Sequence, residues 1–105
     1  MKFKINENKL KIKYVLGNYK IFDDYPTSED IMYYLIQWMM GQDKNSDFVF
    51  HNLWLMNELE LDKNDEKKKD ELIKKLNNLV KEEYLLFNKE TNTRKYYKIE
   101  KNPFE

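Results

Sequence analysis

The residues best suited to chemistry in this sequence are hydrogen-bond donors crowded between positions 67 and 95. Lysine and arginine bind phosphate oxygens, and an asparagine amide can bond to the edge of an adenine base. Threonine hydroxyls and asparagine amides also contact phosphate in protein–DNA complexes. The candidates are Lys67, Lys68, Lys74, Lys75, Asn78, Lys81, Lys89, Thr91, Asn92, Thr93, Arg94 and Lys95. Together these residue types favour contact with a nucleic-acid duplex.

The formal net charge is zero, but the charges are distributed unevenly along the chain. Residues 1–26 hold six lysines against three acids, residues 27–66 hold two against nine, and residues 67–105 hold eleven basic residues against seven acids. An acidic middle therefore separates two basic ends, and a surface built from those ends would attract phosphate. Random variation in a charge-rich chain is the simpler alternative.

A solvated helix face is likewise a simpler explanation for each candidate lysine. Asp70, Glu71, Glu82 and Glu83 lie among these lysines, and carboxylates repel phosphate. Asn78 differs from the lysines because it can read an adenine edge directly. Both interpretations of this segment stay open at the level of sequence.

The residues that usually carry catalysis or bind metals are scarce. The chain has no cysteine, and His51 is its single histidine, next to aromatic residues. It contains no glycine-rich phosphate loop, no Glu-x-x-His pattern and no serine with an available base. Nor do any residues have the spacing of zinc ligands. We therefore expect a protein that is not an enzyme and that holds no metal and no cofactor.

A helix and two strands are predicted to position the donors. Leu72, Leu76 and Leu79 recur at i, i+4 and i+7, which is the spacing of one helical face. Asn64 or Asp65 is predicted to cap this helix. Aromatic and branched residues then predict strands at 84–87 and 95–99, and the polar residues 88–94 predict a turn between them.

Two further helices are predicted earlier in the chain. Thr27 is a good N-cap for a helix that runs to about Met40, and Gly41 can end it. The next helix is predicted over His51–Leu61, where apolar residues recur with helical spacing. A short strand at Phe48–Phe50 is the alternative for the start of this segment.

The two ends of the chain are predicted to be a set of strands and a tail. Apolar and polar residues alternate over 2–5 and 9–16, and Gly17-Asn18 predicts a tight turn before a strand at 19–22. Residues 1–26 are therefore expected to form an N-terminal antiparallel β-meander with a lysine-rich outer face. Residues 100–105 are expected to be a frayed tail. One domain spanning 1–105 follows from the length.

The pattern from Leu76 to Tyr97 resembles the second half of a winged helix-turn-helix domain. In that family a helix leads through a leucine–valine pair to an apolar strand, a basic loop and a strand that often holds two tyrosines. Here those places are filled by Leu79-Val80, Tyr84–Leu86, Lys89 with Arg94-Lys95, and Tyr96-Tyr97. The resemblance implies an α+β fold with three helices over 27–99 and a C-terminal β-hairpin wing. The N-terminal meander is an addition to the family's pattern.

This resemblance implies a protein that binds double-stranded DNA, with the third helix in the major groove and the wing on the backbone or minor groove. The chain is also similar in size, composition and topology to winged-helix accessory proteins of clostridial plasmid transfer. That similarity implies binding at an origin of transfer, beside a relaxase, during conjugation. The alternatives are a transcriptional regulator, a winged-helix module that binds only proteins, and an enzyme inhibitor encoded by a mobile element.

The distribution of apolar residues predicts where the protein is located and whether it forms a dimer. The sequence has no run of about 18 apolar residues and no apolar segment at its N-terminus, so we expect a cytoplasmic protein without membrane contact. The first predicted helix is apolar most of the way round, because Met32, Ile36, Met39 and Met40 lie beside its main stripe. Such a helix needs cover on several sides, which favours either packing on the N-terminal strands or a homodimer.

Overall fold

The computed structural model describes residues 3–6 and 26–105. Its elements in chain order are α1 (Ser28–Gly41), β1 (Val49–His51), α2 (Asn52–Glu58), α3 (Glu66–Lys81), β2 (Leu85–Glu90) and β3 (Lys95–Ile99). The strands form one antiparallel sheet in the order β1-β3-β2. The described residues thus have an α+β fold with three helices and a three-stranded sheet, which is compatible with a small winged-helix-like domain.

The start of α1 is fixed by a reciprocal pair of hydrogen bonds. The Asp30 N–H donates to the Thr27 hydroxyl at 3.1 Å, and the Thr27 N–H donates to the Asp30 carboxylate at 2.9 Å. This capping box satisfies two N–H groups that a helix start otherwise leaves without partners. The N-cap predicted at Thr27 is confirmed.

All three helices end in the same left-handed turn, and none of them uses glycine there. Asp43, Glu60 and Glu83 have φ angles of 54°, 59° and 66°. After α3, the Glu83 N–H donates to the Val80 carbonyl at 3.0 Å, and the Tyr84 N–H donates to the Leu79 carbonyl at 2.9 Å. These are the two bonds of a Schellman motif. Helix α1 ends at Gly41, within one residue of the predicted end at about Met40, and the left-handed position falls two residues later at Asp43.

The hydrophobic core lies between α1, α3 and the inner face of the sheet. Leu72, Leu76 and Leu79 of α3 are 2%, 0% and 3% exposed, which confirms the predicted apolar stripe. In α1, Met32, Ile36 and Met39 are also buried. The apolar surface that suggested a second subunit is therefore largely covered within the chain, although Met40 stays 42% exposed.

The segment before α2 forms a strand, as the alternative prediction stated. Val49–His51 pairs with β3 in the register Val49↔Lys98, Phe50↔Tyr97 and His51↔Tyr96. His51 is the N-cap of α2, since its Nδ1 accepts from the Trp54 N–H at 3.0 Å. The prediction of a helix over His51–Leu61 was therefore too long at both ends. At the start, pairing of β1 with β3 competes with local helical spacing, and at the end a left-handed turn at Glu60 stops the helix after Glu58.

The C-terminal residues are ordered against the core, so the predicted frayed tail is wrong. Phe104 is 2% exposed, and its ring packs edge-on against Tyr33 at 5.7 Å between centroids. The Asn102 side chain donates to the Lys4 carbonyl at 2.6 Å. Burial of the Phe104 ring removes a large apolar area from water, which holds the segment in place.

Part of the predicted N-terminal meander can be compared with the structure. Residues 3–6 alternate between half-buried and exposed, as predicted, with Phe3 and Ile5 against the core. These four residues form no strand, because Asn6 and Lys4 bond to C-terminal residues outside any sheet. The other residues of the predicted meander lie outside the described residues. Among the described helices, none is long and apolar enough to cross a membrane.

Candidate nucleic-acid interface

Helix α3 is held by its inner side and presents its basic side to solvent. The Asp65 carboxylate accepts from the Lys68 N–H at 3.2 Å and fixes the first turn. The three buried leucines fix the rotation of the helix about its axis, because any other rotation would expose their apolar side chains to water. The exposed side, which we call the helix face, carries the candidates Lys67, Lys68, Lys74, Asn78 and Lys81.

Carboxylates are mixed with the lysines on the helix face. Lys67, Asp70, Glu71 and Lys74 line one shallow depression on its surface. In the first turn, the Lys69 ammonium lies 3.2 Å from the Glu66 carboxylate. Neighbouring opposite charges partly cancel at the distance of a bound phosphate, so this face is less positive than its number of lysines indicates.

Lys75 does not belong to the helix face. Its side chain is half-buried, and its ammonium group donates to the Pro26 carbonyl just before α1. This bond connects α3 to the segment that precedes α1, so the structure gives Lys75 a role in packing two elements together. A local helical pattern could not reveal this, because Pro26 is distant in sequence.

The turn between β2 and β3 is closed by Thr91. Its N–H donates to the Arg94 carbonyl at 2.8 Å, and its hydroxyl accepts from the Arg94 N–H at 3.1 Å. The hydroxyl also accepts from the Thr93 N–H at 3.4 Å. A turn with this many internal bonds has a defined shape. Asn92, Thr93 and Arg94 are exposed at its tip.

One row of side chains crosses the outer face of the sheet, on the side away from the core. His51, Tyr96 and Lys89 are paired directly across the three strands. The Lys89 ammonium lies 4.9 Å from the centre of the Tyr96 ring, and the His51 ring lies 5.3 Å from it. With Arg94 at the adjacent turn, this row forms what we call the cationic row: His51, Lys89, Arg94 and Tyr96.

The electrostatics of the cationic row are shown by His51. Burial, and then the nearby Arg94 guanidinium, lower the pKa of His51 below its usual value of 6.5. Its Nδ1 accepts the α2 capping bond, so the neutral ring carries its proton on Nε2. The ring is therefore a neutral donor near the Arg94 guanidinium, and Lys89 lies on the other side of Tyr96. This grouping is suited to anionic oxygens.

Lys95 is less available than its neighbours. Its ammonium lies 3.5 Å from the Glu90 carboxylate across the hairpin, and its N–H donates to the Asn52 side chain at 2.8 Å. Asn52 is 3% exposed, so this bond attaches the start of β3 to the first residue of α2. Like Lys75, Lys95 contributes to connecting elements.

The sequence candidates thus fall into three groups. The helix face contains five of them, and Lys89, Thr91, Asn92, Thr93 and Arg94 lie on the hairpin. Lys75 and Lys95 make contacts within the chain.

The residues that sequence reasoning missed are His51, Tyr96 and Lys98, which all face outward from the sheet. The alternation within β3, where Tyr97 and Ile99 are buried, is the signal that could have placed Tyr96 and Lys98 on the outer face.

Within residues 3–6 and 26–105, no group of three or more metal-ligating side chains is arranged to hold a metal ion. Comparison of the chain with protein-family models, with characterised proteins and with solved structures finds no match.

Proposed function

We propose that this chain is a winged-helix protein that binds double-stranded DNA. In this assignment the β2–β3 hairpin is the wing and α3 is the helix that enters the major groove. The order of the elements supports it: three helices, a short strand after the first helix, and a hairpin directly after the third. The observation that carries the proposal is the exposed basic hairpin that follows an exposed basic helix.

The proposed contacts divide according to chemistry. Lys74 and Asn78 are exposed on α3, where a lysine reaches phosphates or guanine edges and an asparagine reaches an adenine edge. Arg94 and Lys89 on the hairpin supply cations to the backbone or to a narrow minor groove. Thr91 contributes by shaping the turn, since its hydroxyl is already bonded there.

The first test is selection of binding sites from a random duplex pool, followed by titration with salt. Enrichment of one motif, with affinity falling steeply as salt rises, is expected because phosphate contacts release counterions. Lys74→Ala and Arg94→Ala are each expected to weaken binding to all sequences, whereas Asn78→Ala is expected to relax the choice of sequence.

The matched control is Lys44→Ala, which removes an exposed lysine from the loop after α1. Its affinity for DNA should stay unchanged if binding uses the helix face and the hairpin. Unchanged affinity in all three test variants would contradict the assigned surface. No enrichment and no salt-dependent binding would contradict DNA binding altogether.

The biological setting that we propose is a mobile element, with the protein marking a plasmid origin of transfer for a relaxase in the cytoplasm. The alternative within DNA binding is a transcriptional regulator. Pull-down of a relaxase on origin DNA, compared with promoter DNA, separates the two. A palindromic selected motif, with two copies of the chain per duplex by light scattering, would support a homodimer.

A module that binds only proteins is the second candidate function. The outer face of the sheet supports it, because Val49 and Leu86 are 38% and 42% exposed on either side of Lys98. Exposed apolar side chains on one face of a sheet, even with a lysine between them, add apolar area that suits a protein partner. The partly cancelled charge of the helix face favours the same interpretation. Failure of the DNA selection would make this the leading proposal.

A further inference from the structure

A cavity of about 300 Å³ lies on a part of the surface that the proposed DNA contacts do not use. It is bounded by the first turn of α1, the last turn of α3 and the C-terminal residues Pro103 and Phe104. Met32, Leu79 and Phe104 line it and are themselves 1%, 3% and 2% exposed, so they form an apolar floor fixed by the core. Pockets of this size and lining bind small molecules.

The described charges at this cavity have one sign. Among residues 3–6 and 26–105, Glu29 and Glu82 line it and no lysine or arginine does. In the described part of the chain, the ion pairs join Lys69 to Glu66 and Lys95 to Glu90, so neither cavity carboxylate takes part in one. Two carboxylates above an apolar floor favour a ligand that has both a cation and an apolar body.

An aromatic ring adds a third attraction for a cation. Tyr84 lines the same cavity, and the Lys101 ammonium lies 6.0 Å from the centre of its ring. Lys101 is not among the described residues that line the cavity, so a ligand cation on the cavity side of the Tyr84 ring would gain a cation–π interaction of its own.

We propose that this cavity binds a small organic cation. The apolar body of the ligand rests on Met32, Leu79 and Phe104, and its ammonium group lies near Glu29 and Glu82. This binding is independent of the proposed DNA function, because it uses none of the residues assigned to DNA.

The test is titration of the full chain with 2-phenylethylammonium, followed by amide NMR shifts and by calorimetry. Two ligands of the same shape are compared with it: neutral 2-phenylethanol and the anion phenylacetate. We expect the ammonium to bind roughly five- to tenfold more tightly than the alcohol, since two partly exposed carboxylates each contribute modestly. Phenylacetate is expected to bind weakest. The largest shifts should fall on the amides of residues around the cavity.

Charge-neutral variants make the test specific. Glu29→Gln and Glu82→Gln should each lower affinity for the ammonium roughly two- to threefold and leave affinity for the alcohol unchanged. The matched control is Glu71→Gln, an exposed carboxylate of α3 outside the cavity, which should change neither. Equal affinity for ammonium and alcohol, shifts at another surface, or no saturable shift up to roughly 20 mM ligand would each overturn the proposal.

Discussion

The helix face and the cationic row are both exposed and both basic, yet they differ in how their charges are arranged. Over 16 residues, α3 contains six lysines but also Glu66, Asp70 and Glu71. The hairpin has fewer cations, and its one carboxylate, Glu90, lies beside Lys95. Lys89 therefore lies near Tyr96 and Arg94 near His51, and neither cation forms an ion pair with another residue in the described part of the chain.

The number of lysines in a segment therefore does not by itself measure the attraction of that segment for phosphate. Opposite charges a few ångströms apart cancel at longer range, whereas cations gathered beside aromatic rings do not. The two surfaces also differ in support. The helix face is backed by three buried leucines along its length, whereas the hairpin is anchored by buried Leu85, Tyr97 and Ile99 and is exposed toward its turn.

The largest expected effect tests the support of the helix face. Leu76→Ala should lower the free energy of unfolding by about 2–5 kcal/mol, because Leu76 is 0% exposed and the truncation leaves a cavity. Urea denaturation followed by circular dichroism measures the change. The neighbouring exposed residue supplies the control, and Asn77→Ala should change stability by less than about 0.5 kcal/mol. Similar losses in both variants would show that α3 is not anchored through this stripe.

The next effect compares the two basic surfaces directly. Lys89→Ala with Arg94→Ala should lower affinity for duplex DNA roughly 10- to 100-fold and reduce the salt slope by about 2, because two uncompensated cations are removed. Lys67→Ala with Lys74→Ala removes the same charge from the mixed helix face. Fluorescence anisotropy over a range of salt measures both.

The helix pair of substitutions should lower affinity for duplex DNA only about threefold, which is less than the loss expected for the hairpin pair. Neighbouring carboxylates already weaken the attraction of the helix lysines for phosphate. The opposite order would show that the helix face dominates and that the local cancellation of charge is unimportant. Equal losses would remove the distinction between the two surfaces.

The sequence predicted the elements that depend on local pattern. The cap at Thr27, the apolar stripe of α3 and the two C-terminal strands are confirmed, because capping, helical spacing and turn composition are properties of neighbouring residues. The polar turn was predicted over 88–94, but β2 continues to Glu90, with an irregularity in the register between Phe87 and Lys89.

The candidate site was predictable only in part, because its remaining features depend on contacts across the chain. The register that aligns His51, Tyr96 and Lys89 joins three separate segments. The contact of Lys75 with Pro26 and the burial of Phe104 are also long-range. No periodicity reports such pairings, so the sequence could identify basic residues without showing which ones are already bonded within the chain.

The inner side of the hairpin packs on the core through the ring of Tyr97. Tyr97 is 0% exposed, stacked on Phe50 at 5.9 Å, and its hydroxyl has no hydrogen-bond partner among the described residues. Tyr97→Phe removes an unsatisfied polar atom and keeps the ring, so it should raise the free energy of unfolding by about 1 kcal/mol. Urea denaturation at neutral pH measures this. A loss of stability would mean that the hydroxyl has a partner after all.

The buried Tyr97 hydroxyl is expected to make the free energy of unfolding depend on pH in the alkaline range. Burial, and then Glu90, raise the pKa of Tyr97 to about 12 from its ordinary value of 10.0. Between these values the unfolded chain releases the proton first, so stability falls as pH rises, by roughly 2–3 kcal/mol in total from this group. Tyr97→Phe should remove this part of the loss, whereas Tyr96→Phe, which changes the half-exposed neighbour, should retain it.

The smallest expected effect concerns the turn between α3 and β2, where the helix face meets the hairpin. Glu83 connects α3 to β2 with a φ of 66°, a conformation that side chains with a Cβ adopt at a cost of roughly 1 kcal/mol. Glu83→Gly removes that cost but adds freedom to the unfolded chain, so a net gain of about 0.5 kcal/mol is expected in urea denaturation. Glu82→Gly, one residue earlier at a φ of −85°, is the control and should destabilise. If both variants lose stability equally, the left-handed conformation of Glu83 carries no cost that glycine relieves.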